Sequence, residues 1–346
     1  MINSKFNRPT IRDVAREAGV SYQTVSRVLN KQPRVSADTR RRVLAAIDKL
    51  GYQRNLAAQM LTTHRSQTIQ VIAVDTKFSM SIHAMTRTAK EAGYMPIYVE
   101  CTKESLAETF DVAAARLVDG IYLYAPGLFI EDNELVRLSH GIPFVRRDYV
   151  PDSQLTWVGF DQRHSSDLLM QHLLDLGHTD IAEVSGSMDL INPRLRHEAY
   201  VAALIDRGLE PGPSVEGDYI TIELAMKTGY EGTCELIRSG DTFTALVLGN
   251  DYMAVGALHA LREHHVRVPE DMSVVSFDDT PHAQYMAPPL TVIHTDFDLQ
   301  DKLAFEYLFE RMAAPDAKHV QHVLKPELIV RESTAPVTNH DSIAVP

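Results

Sequence analysis

The sequence is poor in cysteine and in long apolar runs. Only Cys101 and Cys234 occur among 346 residues, which excludes a disulfide framework and a cysteine-rich zinc module and fits a reducing cytoplasm. No run of about 18 apolar residues is present, and the first ten residues contain no apolar stretch, so neither a membrane span nor a secretory signal is predicted. A hydrophobic content of 45% over this length allows two or three globular domains.

The charge is distributed unevenly along the chain. Residues 1–65 contain 13 basic and 4 acidic residues, whereas the remainder contains 21 basic and 42 acidic residues. The first part therefore has a net charge of +9 and the rest a net charge of −21. A basic arm on an acidic body is typical of a protein whose first segment binds a polyanion, although a solvated basic surface would have the same composition.

The segment that begins at Thr10 predicts two short helices joined by a tight turn. Thr10 and Asp13 have the spacing of a capping box, and Gly19 can supply the turn. Ser21 can cap a second helix over residues 22–30, with its valines on the inner side.

A third helix is predicted over residues 37–50, between Ser36 as its cap and Gly51 as its end. Two helices around a turn, followed by a supporting helix, form the helix-turn-helix arrangement. In that arrangement the second helix lies in the major groove of DNA. The basic arm is therefore predicted to be a DNA-binding headpiece.

These residues also carry a family resemblance. The run IRDVAREAGVSYQTVSRVLN, followed by VSADTRRRVLAAIDKLGY, resembles the headpiece of the LacI/GalR family of bacterial transcription regulators, and YQTVSR is similar to the lactose-repressor branch of that family. The resemblance extends over nearly the whole chain. It implies a headpiece over residues 1–52, a hinge helix and linker over 53–66, a two-lobed effector-binding and dimerisation core over 67–340, and a tail over 341–346.

The second helix carries side chains that suit base recognition. Gln23 can pair with adenine, Arg27 can pair with guanine, and Tyr22 can contact a thymine methyl group. The headpiece residues expected at DNA are Thr10, Ser21, Tyr22, Gln23, Thr24, Ser26, Arg27 and Asn30. Phosphate contacts, or alternatively a solvated surface, are expected for Arg12, Arg16, Lys31, Arg34, Arg40, Arg41 and Arg42.

The linker is expected to contain a hinge helix. The resemblance implies that this helix forms when the dimer meets its operator, with Leu61 wedged into the minor groove. Asn55 and Ala58 are expected at the DNA as well, and Asn55 can cap the helix. Arg54 stands where many family members have proline, which leaves the start of the helix open. The alternative for Leu61 is packing on the core.

From about residue 67 onward, short apolar runs alternate with amphipathic stretches. Predicted strands include Ile69–Val74, Gly120–Tyr124, Ile181–Val184, Ala245–Leu248 and Ser273–Phe277. Strands that alternate with helices predict an α/β fold with doubly wound parallel sheets. The family resemblance implies two such lobes around a central cleft, as in a periplasmic binding protein.

Polar residues directly after the predicted strands are candidates for effector binding, because ligands of open α/β sheets bind at the carboxyl ends of the strands. Carboxylates, an amide and an arginine suit the vicinal hydroxyl groups of a sugar, and aromatic rings can pack on its faces. The resemblance implies a galactoside-like effector. The expected effector residues are Asp75, Asp148, Phe160, Arg196, Tyr219, Asn250, Asp278 and Phe297. A structural ion pair is the alternative for Arg196 and Asp278, and a structural role is also the alternative for Asp75 and Tyr219.

Catalysis is not expected. The sequence contains no phosphate-binding loop, nucleophile elbow or HExxH motif, its 15 histidines are scattered, and it predicts neither a metal site nor a cofactor. The resulting hypothesis is a cytoplasmic homodimeric repressor that a sugar releases from a palindromic operator. The alternatives are a regulator that needs a corepressor or partner protein and an enzyme that acts in a sugar cleft.

Overall fold

The structure is a computed structural model. It describes residues 9–29, 32–33, 35–53, 65–75, 82–126 and 130–337. Contacts between residues divide the chain into two units, residues 1–66 and residues 67–346.

The first unit contains three helices, α1 (Ile11–Ala18), α2 (Tyr22–Leu29) and α3 (Ala37–Leu50). Gly19 follows the last residue of α1, and its φ of 64° lies in the left-handed region that glycine adopts without a steric cost. Val14, Val25 and Val43 are fully buried where the helices meet. The predicted helix-turn-helix arrangement is therefore confirmed, and α2 ends at Leu29.

The second unit alternates strands and helices. Its strands are β1 (Thr68–Val74), β2 (Met95–Cys101), β3 (Gly120–Tyr124), β4 (Phe144–Arg146), β5 (Trp157–Phe160), β6 (Ile181–Gly186), β7 (Ser214–Gly217), β8 (Ala245–Leu248), β9 (Ser273–Asp278), β10 (Thr291–His294), β11 (Gln321–Leu324) and β12 (Glu327–Ile329). Its α-helices are α4 (Ile82–Glu91), α5 (Leu106–Ala115), α6 (Asp132–Leu138), α7 (Gln162–Asp175), α8 (Ile191–Ile205), α9 (Ile222–Ser239), α10 (Asp251–Glu263) and α11 (Phe297–Ala313). A short 3₁₀ helix covers Ala283–Tyr285.

Within the described residues these strands form two sheets. The sheet of the first lobe has the order β11-β5-β4-β3-β1-β2, and its pairs are parallel. The sheet of the second lobe has the order β12-β10-β9-β8-β6-β7 and is parallel except for the pair of β10 with β12. The α/β fold class with two doubly wound lobes is confirmed.

Both faces of each sheet are covered, which explains the apolar strand runs. On β1, Val71 faces the cluster that contains Phe305 of α11, whereas Ile72 faces the cluster that contains Phe110 of α5. The chain enters the second lobe with α7, returns to the first with α11 and β11, and adds β12 to the second. In the described part of the chain, no helix is long and apolar enough to cross a membrane.

Candidate DNA interface and effector cleft

Helix α2, which is predicted to lie in the major groove, has buried and exposed side chains on different faces. Val25 and Val28 are buried in the headpiece core, whereas Tyr22, Gln23 and Arg27 are exposed, with Tyr22 55% exposed. The two valines fix the helix on one side. The phenol of Tyr22, the amide of Gln23 and the guanidinium group of Arg27 therefore lie on the other side. This face can therefore donate and accept hydrogen bonds in a groove.

The N-termini of α1 and α2 are capped by residues that were expected at the DNA. Asp13 accepts hydrogen bonds from Thr10 N (2.9 Å) and Thr10 Oγ1 (2.7 Å), which lowers the pKa of Asp13. Ser21 Oγ accepts from Thr24 N (3.2 Å) and lies 2.9 Å from Thr24 Oγ1. Both caps have a local structural role, and they orient the helix ends that would face DNA.

The basic residues differ in their partners. Arg12 and Arg16 are exposed on α1, and Arg41 pairs with Asp38 at 2.6 Å on the exposed face of α3. Arg40 donates to the carbonyl oxygen of Gln32 at 3.0 Å, so it also fixes the turn before α3. The expectations for Asn30, Lys31, Arg34, Asn55, Ala58 and Leu61 lie outside the described residues.

A cavity of about 160 Å³ lies between the two lobes of the second unit. A cavity of ~150 Å³ is enough to hold a benzene ring, so this one has room for a six-membered ring. The residues expected to bind the effector all lie on its wall: Asp75, Asp148, Phe160, Arg196, Tyr219, Asn250, Asp278 and Phe297. The two lobes are also joined beside it, because Ile191 N donates to Pro126 O at 3.1 Å.

Arg196 is held in place by several acceptors in the second lobe. Its Nε donates to Gln162 Oε1 (2.7 Å), its Nη1 donates to Gly249 O (2.6 Å), and its guanidinium carbon lies 4.1 Å from the centre of the Phe277 ring. Its Nη2 lies 3.5 Å from Asp278 Oδ1, an ion pair that fits the structural alternative as well as a role in binding. Burial raises the pKa of Asp278, and the charge of Arg196 opposes that rise.

Asp148 and Asn250 present polar atoms from opposite lobes. Asp148 Oδ2 accepts from Ala125 N at 2.9 Å, while Oδ1 is buried without a hydrogen-bond partner in the described structure. Burial raises the pKa of Asp148, and the charge of Arg146 opposes this. Asn250 caps α10 by accepting from Met253 N at 2.8 Å. A ligand hydroxyl group could satisfy the orphaned oxygen of Asp148.

Aromatic rings provide the apolar parts of the wall. Phe160 ends β5, Phe297 begins α11, and Tyr219 packs against Gly186 at the end of β6. A Cβ at Gly186 would lie only 1.9 Å from Tyr219 Cε1, so glycine permits this close approach. Asp75 is exposed, and its carboxylate accepts from Lys103 N at 3.2 Å.

Asp251 lies next to Asn250 and is fully buried. Its Oδ2 accepts from both Thr280 N and Thr280 Oγ1 at 2.6 Å, and its Oδ1 has no partner among the described residues. Burial, followed by the charge of Asp278, raises the pKa of Asp251 to about 7. This carboxyl group fixes the loop that follows Asp278.

Sequence reasoning missed several residues of the wall. They include Tyr124, Arg147, Gln162, Tyr252 and Gln300. Arg147 directly precedes Asp148, so the rule that polar residues after strands face a ligand could have found it. Gln300 lies inside α11, and no local pattern distinguishes it from a surface residue. In the described part of the chain, no cluster of histidine, cysteine and acidic residues could hold a metal ion.

Comparison with protein families agrees with this architecture. Residues 10–55 match the model of bacterial regulatory proteins of the lacI family, and residues 170–334 match that of a periplasmic binding protein-like domain. The ribose operon repressor of Escherichia coli strain K12 is 32% identical over 332 residues, which cover 94% of this chain and 99% of the repressor. A repressor named PurR from Mannheimia succiniciproducens is 30% identical over 94% of this chain and 98% of its own.

Solved structures give the same result for the fold. A lac repressor dimer bound to operator and the anti-inducer ONPF has a TM-score of 0.85 at 29% identity, covering 95% of this chain and all of that one. A complex of the transcriptional regulator CelR with cellobiose has a TM-score of 0.67 at 28% identity, covering 94% of this chain and all of that one. These proteins are transcriptional regulators and not enzymes, as the sequence predicted. The chain belongs to the LacI family of bacterial regulatory proteins and is a DNA-binding transcriptional repressor.

Proposed function

We propose that this repressor is released from a palindromic operator when a sugar binds in the cleft between its lobes. The observation that carries the proposal is the cavity itself, where carboxylates, amides and two guanidinium groups meet several aromatic rings. This combination suits a ligand with several hydroxyl groups and apolar ring faces.

The related proteins support a sugar as the effector class. One relative is a ribose operon repressor, and one similar structure contains cellobiose. Galactosides are the first class that we propose to test, because the positions of Asp148, Phe160, Tyr219 and Phe297 resemble those of effector-pocket residues in the lactose-repressor branch.

The DNA interface is proposed to consist of two headpieces in a homodimer. Tyr22, Gln23 and Arg27 would read bases in each half-site, because they form the exposed face of α2. A similar structure is a dimer bound to operator, which supports this assembly. Residues 1–52 would bind DNA, residues 53–66 would form the hinge, and residues 67–340 would bind the effector and the second subunit.

Release would follow from a change in the equilibrium between two arrangements of the lobes. Arg196 and Asp278 contribute from the second lobe, and Asp148 contributes from the first, so a sugar that contacts all three favours one relative orientation. A difference in affinity of a few kcal/mol between the two arrangements is enough to change the bound population.

The substitution Arg196→Ala tests this proposal. We expect it to abolish release by sugar and to leave operator affinity nearly unchanged, because Arg196 lies in the cleft and outside the headpiece. The measurement is fluorescence anisotropy of a labelled lac-type palindromic duplex, titrated with galactosides, glucosides, free hexoses and purines.

Arg194→Ala is the matched control, because Arg194 lies on the exposed side of the same helix. It should leave release unchanged. If Arg196→Ala weakens operator binding as much as it weakens release, Arg196 is only structural. If a ligand tightens operator binding in the unmodified protein, the chain is a corepressor-dependent regulator and the proposal is wrong.

A further inference from the structure

Arg147 is a buried guanidinium group on the cavity wall that sequence reasoning did not assign. It directly follows β4 and is 8% exposed. Its guanidinium carbon lies 4.8 Å from the centre of the Tyr124 ring and 4.9 Å from the centre of the Phe297 ring. Two aromatic faces therefore hold the group in a fixed plane at the edge of the cavity.

Asp301 accepts a hydrogen bond from only one of the three nitrogen atoms of the Arg147 guanidinium group. Nε donates to Asp301 Oδ1 at 2.9 Å, and Tyr122 donates its hydroxyl hydrogen to the same oxygen. In the described structure, Nη1 and Nη2 of Arg147 have no hydrogen-bond partner, and Asp301 Oδ2 has none either. A purely structural arginine would be expected to bind the carboxylate through two parallel hydrogen bonds. Here Nη1 and Nη2, the two outer nitrogen atoms of the guanidinium group, remain available to a ligand.

The charges around the cavity leave room for an anion. Arg147 is paired with Asp301 in the first lobe, and Arg196 is paired with Asp278 in the second. Burial disfavours the charged forms of Asp148 and Asp251, and it raises the pKa of each. Asp75 is exposed, where water screens its charge.

The pKa of Arg147 itself indicates a permanent charge. Burial lowers the pKa of Arg147, but the charge and hydrogen bond of Asp301, together with the two tyrosines Tyr122 and Tyr124, outweigh that effect, so the net direction is upward. The cavity thus contains a cation with unused donors that stays protonated throughout the range in which proteins function. A carboxylate or phosphate matches the planar fork of such a group better than a hydroxyl group does.

We propose that Arg147 binds an anionic group of the effector, a carboxylate or a phosphate, so that the effector is an acidic sugar. The inference rests on the proposed function, since it takes the cleft as the sugar site. The ring hydroxyl groups would bind to Asp148, Asp278 and Arg196, and the anionic substituent would face Nη1 and Nη2 of Arg147.

The test is isothermal titration calorimetry of the full chain with matched pairs of sugars. Galactose is compared with galacturonate, and glucose is compared with glucuronate and with glucose 6-phosphate, so that the carboxylate and phosphate sources are distinguished. We expect an acidic member of one pair to bind about tenfold more tightly than its neutral partner. Arg147→Gln should remove that preference, and Arg147→Lys, which keeps the charge without the fork, should retain part of it.

Two further variants separate binding from folding. Because Arg147→Gln leaves Asp301 buried without its cation, the double variant Arg147→Gln with Asp301→Asn removes both charges, and it should also lose the preference. Arg163→Gln is the control, because Arg163 lies on the exposed face of α7, where it pairs with Glu198. This variant should keep the preference for the acidic sugar. The inference is wrong if neutral and acidic members bind equally, or if the double variant retains the preference. If no sugar of either kind binds, the proposed function fails together with it.

Discussion

Neighbouring carboxylates at the end of β9 have different environments. Asp278 faces the cavity and pairs with Arg196, whereas Asp279 pairs with Arg331 (2.7 Å) and His294 (3.0 Å). Both residues have positive φ angles, 96° for Asp278 and 56° for Asp279, which residues other than glycine adopt only at a cost in free energy. The contacts of Asp279 with Arg331 and His294 fix this strained turn, and the turn places Asp278 in the cleft.

Asp251 gives a prediction at the residue scale. Its pKa is raised from 3.8 to about 7, so the native protein binds more protons than the unfolded chain between these pH values. The contribution of Asp251 to the free energy of unfolding therefore falls as the pH rises through this window. In Asp251→Asn the amide oxygen can still accept the hydrogen bonds from Thr280, and this fall should disappear.

Urea denaturation at pH 5 and at pH 8 measures the effect. The decrease in the free energy of unfolding between the two pH values should be smaller for Asp251→Asn than for the unmodified protein. Asp241→Asn, at an exposed position after α9, is the control and should behave like the unmodified protein. An identical decrease in all three proteins would show that Asp251 does not bind its proton in the native state.

At the scale of single elements, the two faces of α2 have different roles, because one is packed in the core and the other is exposed. Val25 and Val28 attach the helix to α1 and α3, and the exposed side chains add nothing to that core. A substitution on the exposed face should therefore change DNA recognition without unfolding the headpiece.

Gln23→Ala is the corresponding prediction. Loss of a bidentate contact with a base should reduce discrimination at one base pair of each half-site by roughly 1–3 kcal/mol. The preferred sequence is determined by selection from a randomised duplex library, followed by titration of single-base variants. Discrimination that is unchanged at every position would contradict a role of Gln23 in base reading.

Arg41→Ala gives the contrasting result on α3. Arg41 is exposed and pairs only with Asp38 in the described structure, so it is placed to contact phosphate. The substitution should weaken binding to all sequences alike and reduce the dependence of log K on log salt by about 1. An altered base preference would instead assign Arg41 to base reading.

At the scale of the whole molecule, the second unit consists of two lobes with one cavity between them. Any molecule that binds the folded cleft, but not the unfolded chain, stabilises the protein by mass action. At a ligand concentration 100 times its Kd, the gain is about 2.7 kcal/mol.

A sugar that releases the operator should therefore raise the thermal midpoint of the unit formed by residues 67–346 and leave that of residues 1–66 unchanged. Differential scanning calorimetry with and without the sugar measures both transitions, and Arg196→Ala should lose the increase. A ligand that raised only the transition of the first unit would place the effector site outside the cleft.

Much of the fold follows from local patterns. The caps at Thr10 and Ser36, together with the glycines that end α1 and α3, predicted the headpiece helices to within a residue. These signals act over one helical turn, so neighbouring residues are enough to read them. Helix α8 begins at Ile191 and contains Pro193 in its first turn, where the missing N–H of proline is not needed.

The sequence by itself determined the helix-turn-helix headpiece, the alternating strands and helices, and the polar residues at strand ends. Only the tertiary structure decided that β11 joins β5 across more than 150 residues of chain, and that Arg147 faces a cavity while adjacent Arg146 is buried in the first lobe. Pairing of distant strands and burial of a charge depend on contacts that no local pattern records, because they form only when both lobes are folded.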